Sequence, residues 1–344
     1  MFPGIGETGI LKEITIYMGK IKKIGVLTSG GDAPGMNAAI RGVVRTALFH
    51  HLEVVGIRHG YNGMINGHFK EMKTFSVSDI LARGGTILKT ARSEEFRTAA
   101  GRKIAYANLK KEGIDAVVVI GGDGSLTGAR TFCDEYFDIP FIGIPGSIDN
   151  DIFGTDYAIG YDTALNTVVE AVDKIRDTAS SHNRLFFIEV MGRDAGFIAM
   201  HSGIACGAEA VFIPEVKNQV AGLKDYLEKG FKRRKSSNII IVAEGDDEGG
   251  AMEIADKVKD DFKEYDVRVS ILGHIQRGGT PSAYDRVSAS KFGYYAVQAL
   301  LDDQKSVMIG FKNGEIVHVP FNKIIKQQKA VEESLIKMAE ILSV

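Results

Sequence analysis

Apolar positions along the chain alternate between short unbroken runs and segments with helical spacing. The runs Ile24–Thr28, Val54–Ile57, Ala116–Ile120, Phe141–Ile144, Leu185–Val190, Val211–Ile213, Ile239–Ala243 and Val267–Leu272 are read as strands. Several are continuous Val/Ile stretches, the pattern of strands covered on both faces in a parallel sheet. Within Thr163–Thr178, the residues Leu165, Val168, Val169, Val172 and Ile175 repeat at helical spacing. Within Met36–Leu48, the set Met36, Ile40, Val43, Val44 and Ala47 does the same, and Arg41 and Arg45, four apart, share the opposite side. Repeated strand–loop–helix units predict an α/β protein of two doubly wound domains with mainly parallel sheets and a boundary near Gly160. In such sheets ligands bind beyond the carboxyl ends of the strands, so chemistry is expected in the loops that follow them.

Composition narrows the picture. A chain of 344 residues has room for two domains, and its 40 Gly and 7 Pro suit a fold with many strand-to-helix turns. The formal net charge of −2 gives no overall attraction to nucleic acid or to an acidic membrane. Cys133 and Cys206 form no CxxC pair and read as two reduced thiols rather than a disulfide or metal framework. No apolar run reaches bilayer length, and the first 19 residues lack the basic and apolar regions of a signal peptide, so a cytoplasmic location is expected. Residues 1–20 are expected to form a disordered extension, with Met18 as the natural or ancestral start.

Four sets of residues carry candidate chemistry. Thr28–Asn37, with Gly30, Gly31 and Gly35, leaves backbone N–H groups bare enough to approach a phosphate, although a merely structural turn is the better reading of that loop alone. Ile120–Ser125 reads Ile-Gly-Gly-Asp-Gly-Ser. Gly121, Gly122 and Gly124 allow close phosphate approach there, and Asp123 suits a Mg²⁺ that bridges phosphate oxygens; the alternative is a tight turn with Asp as helix cap. Pro145–Asp151 presents Ser147, Asp149 and Asp151 in a compact group. Asp149 is placed to take a proton from an attacking alcohol, and Asp151 to support it or the metal. The fourth set is cationic: Arg184, Arg193, Arg268, His274 and Arg277 lie near strand ends, as recognition of a phosphorylated substrate requires. Glu244 suits either sugar hydroxyls or a helix cap.

Taken together, Lys22–Arg45, Gly84–Arg92, Asp115–Gly128, Ile142–Thr163, Asp173–Arg193 and Leu272–Arg286 resemble the bacterial ATP-dependent phosphofructokinase family, over essentially everything from Ile21 onward. The resemblance implies a larger ATP-binding domain of residues 21–160 plus about 276–322 and a smaller domain for fructose 6-phosphate of 161–275 plus about 323–344. It implies an ATP site of Gly31, Arg92, Ser93, Gly122, Asp123, Gly124 and Ser125, with Mg²⁺ on Asp123. Ser147, Ile148, Asp149 and Asp151 would meet the sugar hydroxyl, with Asp149 as base and Arg193 beside it. Met191, Gly192, Arg193, Glu244, His274, Ile275, Gln276 and Arg277 would bind the sugar phosphate, joined by Arg184 and Arg268 from a neighbouring subunit of a homotetramer. Pyrophosphate-using relatives tend to carry Asp and Lys where this chain has Gly124 and Gly146, so ATP is the expected donor. The family's effector site, for a nucleoside diphosphate or phosphoenolpyruvate, would fall on Arg41, Arg45, Arg176, Gly207, Glu209, Arg233 and Lys235. Two departures stand out: Ser147 replaces the usual Thr, and Thr74-Phe75 replaces an Arg-Tyr of the effector site, which implies a weakened or altered effector response.

Overall fold

A computed structural model describes residues 21–181, 184–217, 219, 220, 222, 223, 237–260, 265–324, 327 and 329–343. The expected N-terminal extension, residues 1–20, and the effector candidates Arg233 and Lys235 lie outside these residues. The described strands are β1 (Lys23–Ser29), β2 (Glu53–Ile57), β3 (Phe69–Glu71), β4 (Ala116–Gly121), β5 (Phe141–Pro145), β6 (Arg184–Val190), β7 (Ala210–Phe212), β8 (Ser237–Ala243), β9 (Asp266–Ile271), β10 (Val307–Lys312) and β11 (Glu315–Pro320). They form a seven-stranded sheet of order β11-β10-β5-β4-β1-β2-β3 and a four-stranded sheet of order β7-β8-β6-β9. All eight strands expected from the apolar runs are present, and the mainly parallel α/β architecture is as read from the sequence.

The unbroken Val/Ile runs follow from burial on both faces. In β4, Val118 and Ile120 pack with Met36, Ile40, Val43 and Val44 of the helix Met36–Phe49. Val117 and Val119 face the other way, toward Leu109, Leu126 and Phe132. The second sheet repeats this arrangement. Phe187, Ile240 and Val242 pack with Ile254 and Val258 of the helix Ala251–Val258, while Ile188, Ile239 and Ile241 join the main core. The three strands not expected, β3, β10 and β11, are the antiparallel ones or their partners at the sheet edges.

Two contacts fix the helices that carry the site. The helix Met36–Phe49 lies directly on Ala283–Leu301 at Gly42 and Gly293, where a Cβ on Gly293 would stand 2.5 Å from the Ala39 carbonyl. Glycine is what allows this approach. Asp285, fully buried, accepts hydrogen bonds from Gly160 N–H (2.6 Å), Thr163 N–H (2.8 Å), the Thr163 hydroxyl (2.5 Å) and the Tyr157 hydroxyl. It thereby joins the first turn of the helix Tyr161–Ser180 to that of Ala283–Leu301. Cys133 is buried and Cys206 partly so, and both are free thiols. Among the described residues, no helix is long and apolar enough to cross a membrane.

Candidate active site

The loops after β1, β4, β5, β6 and β8 and the turn Gly273–Arg277 after β9 lie beyond the carboxyl ends of their strands, and the structure brings several of them together. Gly146 N–H donates to the Gly121 carbonyl (3.0 Å), which ties the β5 loop to the β4 loop. Arg277 reaches the β1 loop: its Nη1 donates to the Asp32 carbonyl (3.3 Å), and a Cβ on Gly31 would come within 2.6 Å of it. Met191 N–H donates to the buried Gln276 Oε1 (3.2 Å), which ties the turn after β9 to the end of β6.

Asp149 is the centre of this arrangement. It is 2% exposed, and Nε of Arg193 stands 3.4 Å from its Oδ2. Its Oδ1 is buried and has no hydrogen-bond partner among the described residues. Burial pushes the carboxyl above its ordinary range, Asp151 adds to the rise, and Arg193 and Arg277 act against it. Ser147 Oγ accepts the Asp149 N–H at 3.3 Å, so the hydroxyl retained in place of the usual Thr closes the loop's own turn. Asn150, between the two aspartates, has a left-handed backbone (φ 54°). Its side chain donates to the Asp156 carbonyl (3.1 Å) and accepts from Ala158 N–H (2.9 Å). Those two bonds hold the loop in a conformation that asparagine tolerates better than most residues. Ile148 is fully buried beneath it.

Arg193 is itself positioned. It has φ 52° and follows Gly192 with φ 148°. Its N–H donates to Glu244 Oε1 at 3.0 Å, so of the two roles open to Glu244 in the sequence, it caps no described helix and instead holds the loop that carries Arg193. Asp123 opens the helix Asp123–Glu135, capped by Gly122 rather than by the aspartate itself. Burial, then Asp151, raises the Asp123 carboxyl. Two carboxylates of like charge near the start of that helix form a donor set that suits a phosphate-bound divalent cation. A Cβ on Gly124 would meet nothing within 4 Å, whereas one on Gly146 would be 3.1 Å from Met36 Cε. Ser125 is buried, and its carbonyl accepts the Tyr61 hydroxyl at 2.5 Å. Arg92 is exposed, with its carbonyl held by Asn62, and Ser93 Oγ accepts the Phe96 N–H. His274 and Ile275 are exposed beside the buried Gln276.

Arg184 and Arg268 are not brought to this group within the chain. Arg184 opens β6 at the end opposite Met191, roughly 20 Å away along the strand. Both arginines meet Asp266, Arg184 at 3.2 Å and Arg268 at 2.9 Å. Of the described effector candidates, Arg41 and Arg45 lie on the helix Met36–Phe49, where burial and then Arg45 lower Arg41 below its ordinary value. Arg176 donates to the carbonyls of Cys206 (2.7 Å) and Gly207 (3.3 Å). Glu209 is buried and accepts the Ile239 N–H (2.6 Å). Phe75 is 75% exposed, on a turn packed against the helix of Arg41 and Arg45. Sequence reading missed Asp32, Asn150, Asp285 and Lys329, whose contacts join distant segments; only Asn150, within the Asp-Asn-Asp triplet, carried a local signal.

Comparison with known proteins identifies the family. A family model described as Phosphofructokinase matches residues 23–300. The chain is 58% identical over 327 residues to ATP-dependent 6-phosphofructokinase 2 of Bacteroides thetaiotaomicron, covering 95% of this chain and 100% of that protein. It is 50% identical over 324 residues to ATP-dependent 6-phosphofructokinase of Bacillus pumilus, covering 94% and 100%. Phosphofructokinase from Saccharomyces cerevisiae superposes with a TM-score of 0.83 at 41% identity, over 89% of this chain and 45% of the longer yeast chain. A pyrophosphate-dependent phosphofructokinase from Marinobacter aquaeolei superposes with a TM-score of 0.80 at 22% identity, over 91% and 86%, a likeness of fold alone. The chain belongs to the phosphofructokinase family.

Proposed function

We propose that the chain transfers the γ-phosphoryl group of ATP to the 1-hydroxyl of fructose 6-phosphate, giving fructose 1,6-bisphosphate and ADP, and that it does so in the cytoplasm as a step of glycolysis. The observation that carries this reading is Asp149: a buried carboxylate with a raised proton affinity, one oxygen unpartnered, and an arginine at the other. Asp149 takes the proton from the sugar's 1-hydroxyl as the oxygen attacks phosphorus, and the bond from phosphorus to the ADP oxygen breaks in line. Arg193 keeps Asp149 anionic until the proton arrives and then faces the charge of the transferring group. Asp151 raises the affinity of Asp149 for that proton. Ser147 and Asn150 hold the loop that aims it.

The bare backbone of Gly31, Gly122 and Gly124 and the start of the helix Asp123–Glu135 cradle the polyphosphate, with Arg92, Ser93 and Ser125 beside it. Asp123 would hold Mg²⁺, which when bound neutralises charge shared between the phosphate oxygens. Open space at Gly124 favours ATP, because a carboxylate there would crowd and repel the α-phosphate. Met191, Gly192, Glu244, His274, Ile275, Gln276 and Arg277 surround the sugar phosphate. Since Arg184 opens β6 and Arg268 lies in the first half of β9, both held on Asp266 and away from the loops that follow the strands, they serve a neighbouring copy's site in a homotetramer. Arg41, Arg45, Arg176, Gly207 and Glu209, with Arg233 and Lys235, form an effector site for a nucleoside diphosphate or phosphoenolpyruvate.

Phosphorus NMR of the product tests the reaction. A doubly phosphorylated sugar formed in step with ADP supports it, and ATP hydrolysis without sugar phosphorylation overturns it.

A further inference from the structure

Beyond the last strand, the chain returns across the face of the catalytic loop. Val331 is buried in the main core, and the helix Glu333–Leu342 packs on the helix Phe197–Cys206. Two residues before Val331, Lys329 turns inward. Its Nζ donates to the Asp156 carbonyl at 3.1 Å and stands 4.9 Å above the centroid of the Phe197 ring. The same carbonyl accepts the Asn150 Nδ2 at 3.1 Å. Asp156 is fixed from behind, with its N–H on the Phe311 carbonyl (2.7 Å) and its Oδ2 taken by Asn313 N–H (2.7 Å). One rigid acceptor is therefore shared by a tail lysine and by the residue between Asp149 and Asp151.

We propose that Lys329 is a positioning residue for phosphoryl transfer: through the shared Asp156 carbonyl it fixes Asn150, and through its charge it steadies Asp151, so that Asp149 is held at its working angle. The proposal rests on the reading of Asp149 as the base. Asp151 makes no ion pair among the described residues, yet it acts on both Asp149 and Asp123. The Lys329 ammonium is a cation that attracts it.

The groups facing Lys329 are the carboxylates of Asp156 and Asp151 on the catalytic-loop side. His201 and the Phe197 ring face it from the helix Phe197–Cys206, and Glu332 lies on its own segment. Burial lowers the lysine to about 8, and the carboxylates of Asp156 and Asp151 only partly restore it. Burial likewise keeps the His201 imidazole below its ordinary range, so it stays neutral at neutral pH and does not compete with the ammonium.

The test is steady-state kinetics of the full-length chain, Lys329→Met and Lys329→Arg across the neutral and alkaline range, with thermal melting of each. Lys329→Met should lower kcat roughly ten- to a hundredfold, the scale of a misaimed catalytic group, with KM for ATP changed by no more than about twofold. The unmodified enzyme should lose kcat as pH rises through about 8. Lys329→Arg should recover most of kcat and hold it to higher pH, because a guanidinium does not titrate there. A Lys329→Met enzyme with unchanged kcat and pH profile overturns the proposal. So does one that only melts earlier, with kcat per folded enzyme intact. An inactive unmodified enzyme would refute the phosphotransfer reading instead, so the two failures are distinct.

Discussion

Asp149 and Arg193 meet at 3.4 Å, oxygen to nitrogen, although they come from loops on different sheets, after β5 and after β6. The aspartate is 2% exposed, while the arginine side chain is 53% exposed. A carboxylate hidden from water thus faces a cation open to it, and among the described residues Asp149 Oδ1 has no hydrogen-bond partner, as the proposed role of base asks. Asp149→Asn keeps the shape and removes the proton acceptor. Turnover should fall roughly 10²–10⁴-fold with fructose 6-phosphate affinity changed little, as for other positioned bases. Near-normal turnover would remove Asp149 from its role.

The acid limb of kcat/KM should report the same carboxylate. Its proton affinity is raised, so activity should fall, as pH drops, sooner than an ordinary carboxylate would dictate. Asp151→Asn removes a like charge, lowers that affinity and should move the limb to lower pH. Arg193→Met removes a cation and should move it to higher pH. An acid limb that stays in place in both variants would show that another group titrates.

Gly124→Asp isolates donor choice from folding. The added side chain meets no atom within 4 Å of its Cβ and sits in the first turn of a helix, where a carboxylate is favourable by about 0.3–1 kcal/mol. Melting should therefore hold or rise, while KM for ATP climbs tenfold or more because a charge now stands beside the polyphosphate, about 2 kcal/mol at short range in partly screened surroundings. An unchanged KM would remove Gly124 as a ground for preferring ATP.

Which of these features the sequence carried depends on how far apart the partners lie. Residues at strand ends, such as Asp123, Asp149 and Arg193, were legible because parallel strands deliver their following loops to one edge. Val117–Ile120 was legible as a doubly covered strand because both faces are buried. The β10–β11 hairpin was overlooked although Asn313 and Gly314, with φ 53° and 82°, form the two-residue turn between them, a strong local signal. The missing clue was alternation, since β11 is only partly buried. Asp285 and Lys329 were not legible at all: the partners of Asp285 lie 122 to 128 residues away, that of Lys329 173 away, and no spacing rule links such positions.

Asp285→Ala should test the structural side. It strands the Tyr157 hydroxyl, the Gly160 and Thr163 N–H groups and the Thr163 hydroxyl in a dry interior. Denaturant unfolding should show a loss of about 3 kcal/mol or more, the sum of several orphaned buried donors. A change within about 0.5 kcal/mol, the range of an ordinary surface substitution, would mean the donors find other partners.

Response to ADP or GDP is expected to be weak in the unmodified chain, or the proposed effector site to prefer a different anion, because Thr74 and Phe75 supply neither guanidinium nor phenol. Thr74→Arg with Phe75→Tyr should raise affinity for ADP or GDP roughly tenfold, the worth of one charged hydrogen bond. A strong response already present, and unaltered by the double change, would contradict the placement of that site.

Phosphoryl transfer from ATP is tested most simply by a direct comparison of donors. With fructose 6-phosphate saturating and Mg²⁺ supplied, kcat/KM should be measured for ATP and for pyrophosphate on the same preparation. Turnover should be efficient with ATP and slight with pyrophosphate; comparable or greater turnover with pyrophosphate would rule out ATP as the preferred donor.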